Sequence, residues 1–344
     1  MKTALTAPPA PVGTLPDPCE RFASHKRFTA PVSTAIGKDL QLRDVAAAIG
    51  NCASVLDLLI EQPPDEPLYA HLKGSIVCNR RLCPWCEWRR SIRWKRRIEM
   101  GLNLLAEHNP SHRPVLLTLT VRNCEIEALG QTIEHLQKSW NRLHQRAFFP
   151  TDLWLRRSEV TFPPRLKSEN GRPQTRNGPD GGSGILGGRM AHPHVHALLM
   201  VKPSYFSHGY VKQTQWQQEW MDAARLDYSP VVDVRAITPT ASRRWEGNVY
   251  KAAAQEVGKY VCKASDYIAV KESLPEIHRQ LAHHRLISCS SALRAFISDA
   301  EPQGEGLSDQ PLHLRDLDSA LTPARAEWNA FAQEYWLAPT EGAA

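Results

Sequence analysis

The chain has 344 residues, 42% of them hydrophobic, and a formal net charge of +6, which is enough apolar content for one large core or two smaller ones. Its longest apolar runs, Val115 to Val121 and Ala197 to Val201, are far too short to span a bilayer, and the Pro-rich N-terminus lacks the apolar stretch of a secretory leader. These features exclude a helical membrane protein and predict a cytoplasmic chain with no membrane partner, so its eight cysteines read as ligands or buried thiols rather than disulfides.

Residues 1–45 are rich in Pro, Ala and Thr and carry little periodic apolar content, which predicts disorder. Residues 46–110 read as a zinc knuckle followed by a basic helix. Cys78, Cys83 and Cys86 lie close together, and the Cys-x-x-Cys spacing of Cys83-Pro84-Trp85-Cys86 suits one tetrahedral ion. Zinc needs a fourth ligand, for which Cys52 is the choice and His71 the rival. The remaining cysteines, Cys19, Cys124, Cys262 and Cys289, have no such spacing and read as ordinary thiols. Between Arg80 and Arg97 stand Arg80, Arg81, Arg89, Arg90, Arg93, Lys95, Arg96 and Arg97, with Trp85, Trp88 and Trp94 interleaved. Such a run suits phosphate neutralisation with aromatic stacking, against the plainer reading of a solvated helix face.

Residues 111–298 form the expected main domain. Val115 to Val121 reads as a strand by its β-branched content. Leu129, Ile133, Leu136, Trp140 and Leu143 make one helical stripe. Arg157 to Phe162 is a second strand, residues 164–190 a Gly-rich flexible insertion, and Ala191 to Val201 a third strand. A helix with Trp216 and Trp220, a strand from Val231 to Ile237 and a helix from Gly247 to Ala264 follow. The order predicts an α+β fold of βαββαβ layout, ferredoxin-like or RRM-like, with a largely antiparallel sheet, helices on one face and the other face free for chemistry. Residues 299–344 read as a polar tail with a helix from Pro323 to Trp336, capped by Thr322.

Alternation along a strand puts His194 and His196 on one face and Val195, Ala197, Leu199 and Val201 on the other. Two imidazoles on one strand make half a metal site, against the plainer reading of surface histidines. On the last helix Glu256 and Tyr260 are one turn apart, with Lys263 three residues on. A metal ion and a lysine can stabilise a phenolate, and a glutamate beside it can act as general base for water. An ordinary ion pair of Glu256 with Lys259 or Lys263 is the alternative.

These motifs together resemble the rolling-circle replication initiators of small bacterial plasmids (Rep type 1), within the His-hydrophobic-His endonuclease superfamily. The resemblance rests on His194-Val195-His196, on Glu159 in the preceding strand, on Glu256-x-x-x-Tyr260 and on the cysteine segment from Cys78 to Arg90, and it covers roughly Cys52 to Tyr267. It implies that His194, His196 and Glu159 bind Mg²⁺ or Mn²⁺, with His192 as rival to Glu159 and with Asp233 or Lys263 as further groups near the site. It implies that Tyr260 attacks the scissile phosphate, leaving a 3′-hydroxyl and a 5′-phosphotyrosine, and that Glu256 later activates water. Tyr250, four residues after Glu246, and Tyr267 are the rival nucleophiles. Implied partners are double-strand and single-strand origin DNA and the host helicase, single-strand binding protein and polymerase. Two other readings compete: a zinc-dependent DNA-binding regulator without enzymatic activity, and a nucleotide hydrolase or transferase of the histidine-triad type with His194 as nucleophile.

Overall fold

The computed structural model describes residues 20–61, 69–162, 189–240, 242–245, 247–258, 264–299 and 321–338, and divides them into two compact units. In chain order the helices are α1 (Glu20–Arg27), α2 (Thr29–Ile36) and α3 (Arg43–Gly50), followed by the strands β1 (Val55–Glu61) and β2 (Tyr69–Ser75). Next come α4 (Pro84–His108), β3 (Arg113–Thr120), β4 (Cys124–Glu125), α5 (Leu129–His144), β5 (Trp154–Thr161) and β6 (Met190–Val201). The chain continues with α6 (Gln213–Ala223), β7 (Val232–Ala236), α7 (Val249–Val257), α8 (Ala264–Ala269), α9 (Leu274–Leu281), β8 (Ile287–Cys289) and α10 (Ser291–Asp299). It ends in β9 (Thr322–Asn329) and β10 (Glu334–Ala338).

Among the described residues, the first unit holds 20–34, 44–61, 69–86 and 321–338. Its sheet is ordered β10-β9-β1-β2, every pair antiparallel. Two expectations are corrected here. The segment up to residue 45 is helical from Glu20 onward, because Phe22 and Ala23 are buried and give α1 an apolar side; residues 1–19 lie outside the described residues. The tail forms a hairpin where a helix from Pro323 to Trp336 was expected, and Thr322 begins a strand rather than capping a helix. Pairing decides it: β9 lies beside β1 with Leu56 opposite Ala326, Trp328 stacks edge-on with Tyr335, and the Tyr335 hydroxyl donates to Ala53 O at 2.6 Å. Tertiary pairing overrides local helix propensity when it satisfies backbone groups and buries aromatic surface together.

The second unit holds the described residues between 35 and 43 and between 87 and 299. Its antiparallel sheet runs β7-β3-β6-β5-β8, with β4 also pairing β6. The strand β6 is central, and its alternate residues enter different cores. Val195, Ala197, Leu199 and Val201 meet Leu136, Trp140 and Leu143 of α5 and Trp216 and Trp220 of α6. Leu198 and Met200 meet Ile98, Leu102 and Leu105 of α4, Ala253, Ala254 and Val257 of α7, and Leu293 and Ile297 of α10. The expectation of helices on one face alone is therefore corrected: helices cover both. A face carrying Leu116, Leu155, Leu198 and Met200 would leave a large apolar patch in water, and α4, α7 and α10 bury it. The expected helix from Gly247 to Ala264 is shorter: α7 runs from Val249, capped by the Asn248 side chain, to Val257, with Gly258 as its C-cap.

Trp140 has no solvent exposure and packs edge-on against Trp154 and Phe149. Trp140→Ala should lower the unfolding free energy by about 3–5 kcal/mol, read as a fall in the denaturant midpoint with intact helical circular dichroism in water.

Candidate metal and nucleic-acid site

Register across the second sheet brings the histidine row together with a carboxylate. His194 lies opposite Glu159 on β5, and His196 lies opposite Arg157 on β5 and Thr118 on β3. Pro193 is tolerated inside β6 because the β3 pairing stops at Thr120 opposite His194, so no β3 ladder bond is asked of it. The Nε2 atoms of His194 and His196 are 3.1 Å apart, and His196 Nε2 lies 3.4 Å from Glu159 Oε2. His194 Nδ1 donates to the carbonyl of His192 at 3.2 Å. A carbonyl can only accept, so the His194 proton sits on Nδ1 and Nε2 presents its lone pair. His196 Nδ1 is held 3.0 Å from Thr118 Oγ1, which turns its Nε2 into the same space.

Among the described residues, Glu159, His194 and His196 therefore form a three-donor cluster with ligand atoms within 4.8 Å of one another. Donors bonded to one first-row ion at about 2.1 Å sit about 3 Å apart when adjacent, so these spacings fit a divalent cation. Two imidazoles and a carboxylate suit Mn²⁺ better than Mg²⁺, which favours oxygen. His192, the rival third ligand, donates from Nδ1 to Asn123 Oδ1 at 2.7 Å and is not part of the cluster of Glu159, His194 and His196.

Burial sets the protonation states. Glu159 and His194 are each only 8% exposed. Burial pulls the His194 imidazole down to about 4, helped by neighbouring His196, so it is neutral and ready to bind metal at neutral pH. Burial pushes the Glu159 carboxyl up, but the His196 hydrogen bond and nearby positive charge, Arg157 included, outweigh it and leave the group below the usual carboxylate range. Arg157 is itself 2% exposed; burial draws it down to about 10, where it still carries its charge at neutral pH.

Tyr260 and Lys263 lie outside the described residues, as do Glu246, Cys19 and Cys262. The chain just before Tyr260 is firmly held. Arg157 donates to Val257 O at 3.4 Å and Ser91 Oγ donates to Gly258 O at 2.7 Å. A side chain at Gly258 would meet Ala254 O at 2.6 Å and Lys95 Cγ at 2.4 Å, so glycine is what lets α4 approach here. Glu256 is 41% exposed at its side chain and lies 3.9 Å from Arg235. Asp233 faces Thr118 across β7 and β3 and lies 3.8 Å from Arg235, two strands away from the histidine row. Of the rival tyrosines, Tyr250 packs against the core and Tyr267 is buried.

In the first unit, Cys52, Cys78, Cys83 and Cys86 form a second cluster. Sγ of Cys86 lies 3.5 Å from that of Cys52 and 3.6 Å from that of Cys78, near the edge of about 3.8 Å expected for four thiolates around zinc with bonds of about 2.3 Å. Hydrogen bonds from its three neighbours pull the Cys78 thiol down, and the same shared protons push Cys83 up. His71 is drawn away by Glu61, 2.7 Å distant. Left-handed backbone follows two of the cysteines, at Ala53 (φ 54) and Asn79 (φ 54). One further residue gave no sequence signal, because it stands in the segment read as disordered: Lys26, which is buried and donates to Cys52 O at 2.7 Å and Gly50 O at 2.8 Å.

The basic run divides unevenly. Arg80 and Arg93 are exposed; Arg81, Arg89, Arg90, Lys95, Arg96 and Arg97 are partly buried. Glu87 pairs with Arg90. The expected aromatic interleaving is corrected, since Trp85 and Trp88 are core residues with 0% and 7% exposure and Trp94 packs partly buried on the α4 side of the sheet. Trp85 and Trp88 serve packing, not base stacking.

Comparison with known proteins gives concordant results. Residues 69–336 match the Rep_1 family model, described as "Replication protein". The chain is 29% identical to "Protein rep" of Lactiplantibacillus plantarum over 78% of this chain and 82% of that protein. It is 28% identical to "Protein rep" of Streptococcus pneumoniae serotype 2 over 88% of this chain and 87% of that protein. It is 30% identical to "Protein rep" of Bacillus amyloliquefaciens over 56% of this chain and 52% of that protein. No solved structure matches the chain. No helix among the described residues is long and apolar enough to cross a membrane.

Two measurements test the clusters. Purified protein should carry one zinc per chain by elemental analysis, lost in Cys52→Ser and retained in His71→Ala. Mn²⁺ binding, followed by loss of the free-ion electron paramagnetic resonance signal, should disappear in His194→Ala. With the His194 imidazole held at about 4, below the ordinary histidine value, its protonation should compete with Mn²⁺ only as the pH falls towards 4, not near 6.5.

Proposed function

The chain belongs to the Rep_1 family of replication proteins, and from that membership we propose that it initiates plasmid replication by cutting one DNA strand at the origin through a tyrosine nucleophile. The observation that carries the reading is the convergence of His194, His196 and Glu159 on one space of a rigid sheet. A divalent cation held there supplies charge withdrawal from the scissile phosphate.

The chain's own groups take the other roles. The Tyr260 phenolate oxygen attacks phosphorus in line; the bond to the 3′ oxygen breaks, that oxygen takes up a proton as a free 3′-hydroxyl, and the 5′ phosphate stays on the tyrosine. Its position two residues after Gly258 supports this role, because Arg157 and Ser91 anchor the carbonyls of Val257 and Gly258. Lys263 stabilises the phenolate. Glu256, on the last turn of α7 and accessible to solvent, later takes a proton from water as it hydrolyses the phosphotyrosine. The zinc knuckle and the basic side chains from Arg80 to Arg97 bind duplex origin DNA mainly through phosphates, which makes binding salt-dependent. Host helicase, single-strand binding protein and polymerase then extend the 3′ end. This places the protein's work in the cytoplasm.

The test is to incubate the full chain with a single-stranded origin oligonucleotide and Mn²⁺ and look for a protein-DNA adduct that survives denaturant. Wild type and Tyr250→Phe should form it; Tyr260→Phe, His194→Ala and chelator-treated protein should not. An undiminished adduct with Tyr260→Phe overturns the assignment of the nucleophile; no adduct even with wild type overturns strand cutting and favours a DNA-binding regulator.

A further inference from the structure

An open cavity of about 370 Å³ lies between the β3-β4 connection, the start of α5 and the loop after α6. Its lining includes Arg122, Asn123, Gln131, His135, Leu226 and Tyr228. The replication chemistry proposed above uses none of these side chains. One lining residue nevertheless reaches the histidine row: Asn123 accepts the His192 Nδ1 hydrogen bond at 2.7 Å, and the His192 and His194 rings are 5.3 Å apart.

The lining has two chemical parts. The Arg122 guanidinium lies 3.8 Å from the centroid of the Tyr228 ring, and the Arg122 backbone N–H donates to the Tyr228 hydroxyl oxygen at 2.7 Å. That second bond ties the pair together, and Arg122, 3.6 Å from Asp227, keeps about half of its side chain exposed to solvent. A planar cation backed by an aromatic ring is a plate on which a base can stack. The amide of Gln131 and the imidazole of His135 each offer a donor and an acceptor, which suits the polar edge of a heterocycle, and Leu226 gives an apolar floor. A charged plate, a polar edge and an apolar floor fit a flat, uncharged, hydrogen-bonding ring better than a phosphate or a peptide.

We propose that this cavity holds a nucleobase of the single strand whose scissile phosphate lies at the histidine row, so that Arg122, Tyr228 and Gln131 select the base next to the cut. The proposal rests on the single-strand reading above. It adds a specificity site that does not depend on the metal: the strand is gripped by one unstacked base before any cation is needed. Discrimination follows from stacking on Arg122 and from pairing with the Gln131 amide, with the Asn123-His192 contact holding the cavity in register with the metal donors.

The test measures fluorescence anisotropy of the full chain, in chelator, with a labelled twelve-residue thymidine oligonucleotide and with an abasic backbone of equal length. Wild type should bind the thymidine strand about tenfold more tightly than the abasic one, within the range for stacked bases. Gln131→Ala, at an exposed helix position, and Arg122→Lys, which keeps the charge without the plane, should each cut that preference to about twofold and leave abasic binding unchanged. Equal binding of both strands by wild type, or an unchanged preference in both variants, overturns the cavity assignment while leaving strand cutting intact. Displacement of the oligonucleotide by free thymidine monophosphate at equal concentration also overturns it, marking a mononucleotide site. Absence of any single-strand binding, together with no covalent adduct, overturns the underlying function as well.

Discussion

The strand β6 is buried on both faces, and the second unit is arranged around that fact. Side chains alternate along it, so one set must fill the core under α5 and α6 while the other faces α4, α7 and α10. At Leu198 and Met200 the second face is apolar; at His194 and His196 it turns polar, beyond the reach of those helices' apolar contacts. A single strand thereby anchors two cores and then delivers two imidazoles to a place where the sheet, not a flexible loop, fixes them. Rigid elements hold ligands more closely than loops do, and Thr118 and Glu159 on the flanking strands complete the fixing through β register.

Desolvation gives that geometry its chemistry. A buried carboxylate is costly unless charge or hydrogen bonds compensate, and Glu159 is offset by His196 and by the buried Arg157. Arg157 works in two directions, since it also reaches Val257 O at the end of α7. The carbonyls at a helix C-terminus carry partial negative charge, so one guanidinium stabilises both the carboxylate beside the histidines and the helix end that leads to Tyr260. Removing that charge would leave both uncompensated, which links the carboxylate beside the histidines to the anchoring of the chain end after α7.

The first unit follows a different logic. Its cysteine cluster draws Cys52 from before β1 and Cys78, Cys83 and Cys86 from the segment after β2. The left-handed residues Ala53 and Asn79 turn the backbone immediately after two of the thiols, at a cost of roughly 1–2 kcal/mol for a non-glycine residue. Such strain persists where the surroundings over-determine it. Lys26, bonded to the carbonyls of Gly50 and Cys52, ties α1 to the same turn and places a cation beneath sulfurs that would be strongly negative as thiolates.

Several elements were legible without coordinates because each carries its own period. The stripe from Leu129 to Leu143 gave α5, and the β-branched run from Val115 gave β3. The alternation from Ala191 to Val201 gave β6 and the shared face of its histidines. The Cys-x-x-Cys spacing gave two members of the sulfur cluster. Other features follow from partners distant in sequence. The hairpin of β9 and β10 exists because β1 offers an open edge, and the tryptophans of the arginine run turn inward because cores form around them. Glu159 meets His194, and Cys52 displaces His71, through strand register and loop path, which local pattern does not encode. The sequence by itself determined which residues alternate, which can ligate and which family's motifs the chain carries. Tertiary structure decided which of them meet, because register, burial and desolvation arise only when strands separated by tens of residues pair and exclude water.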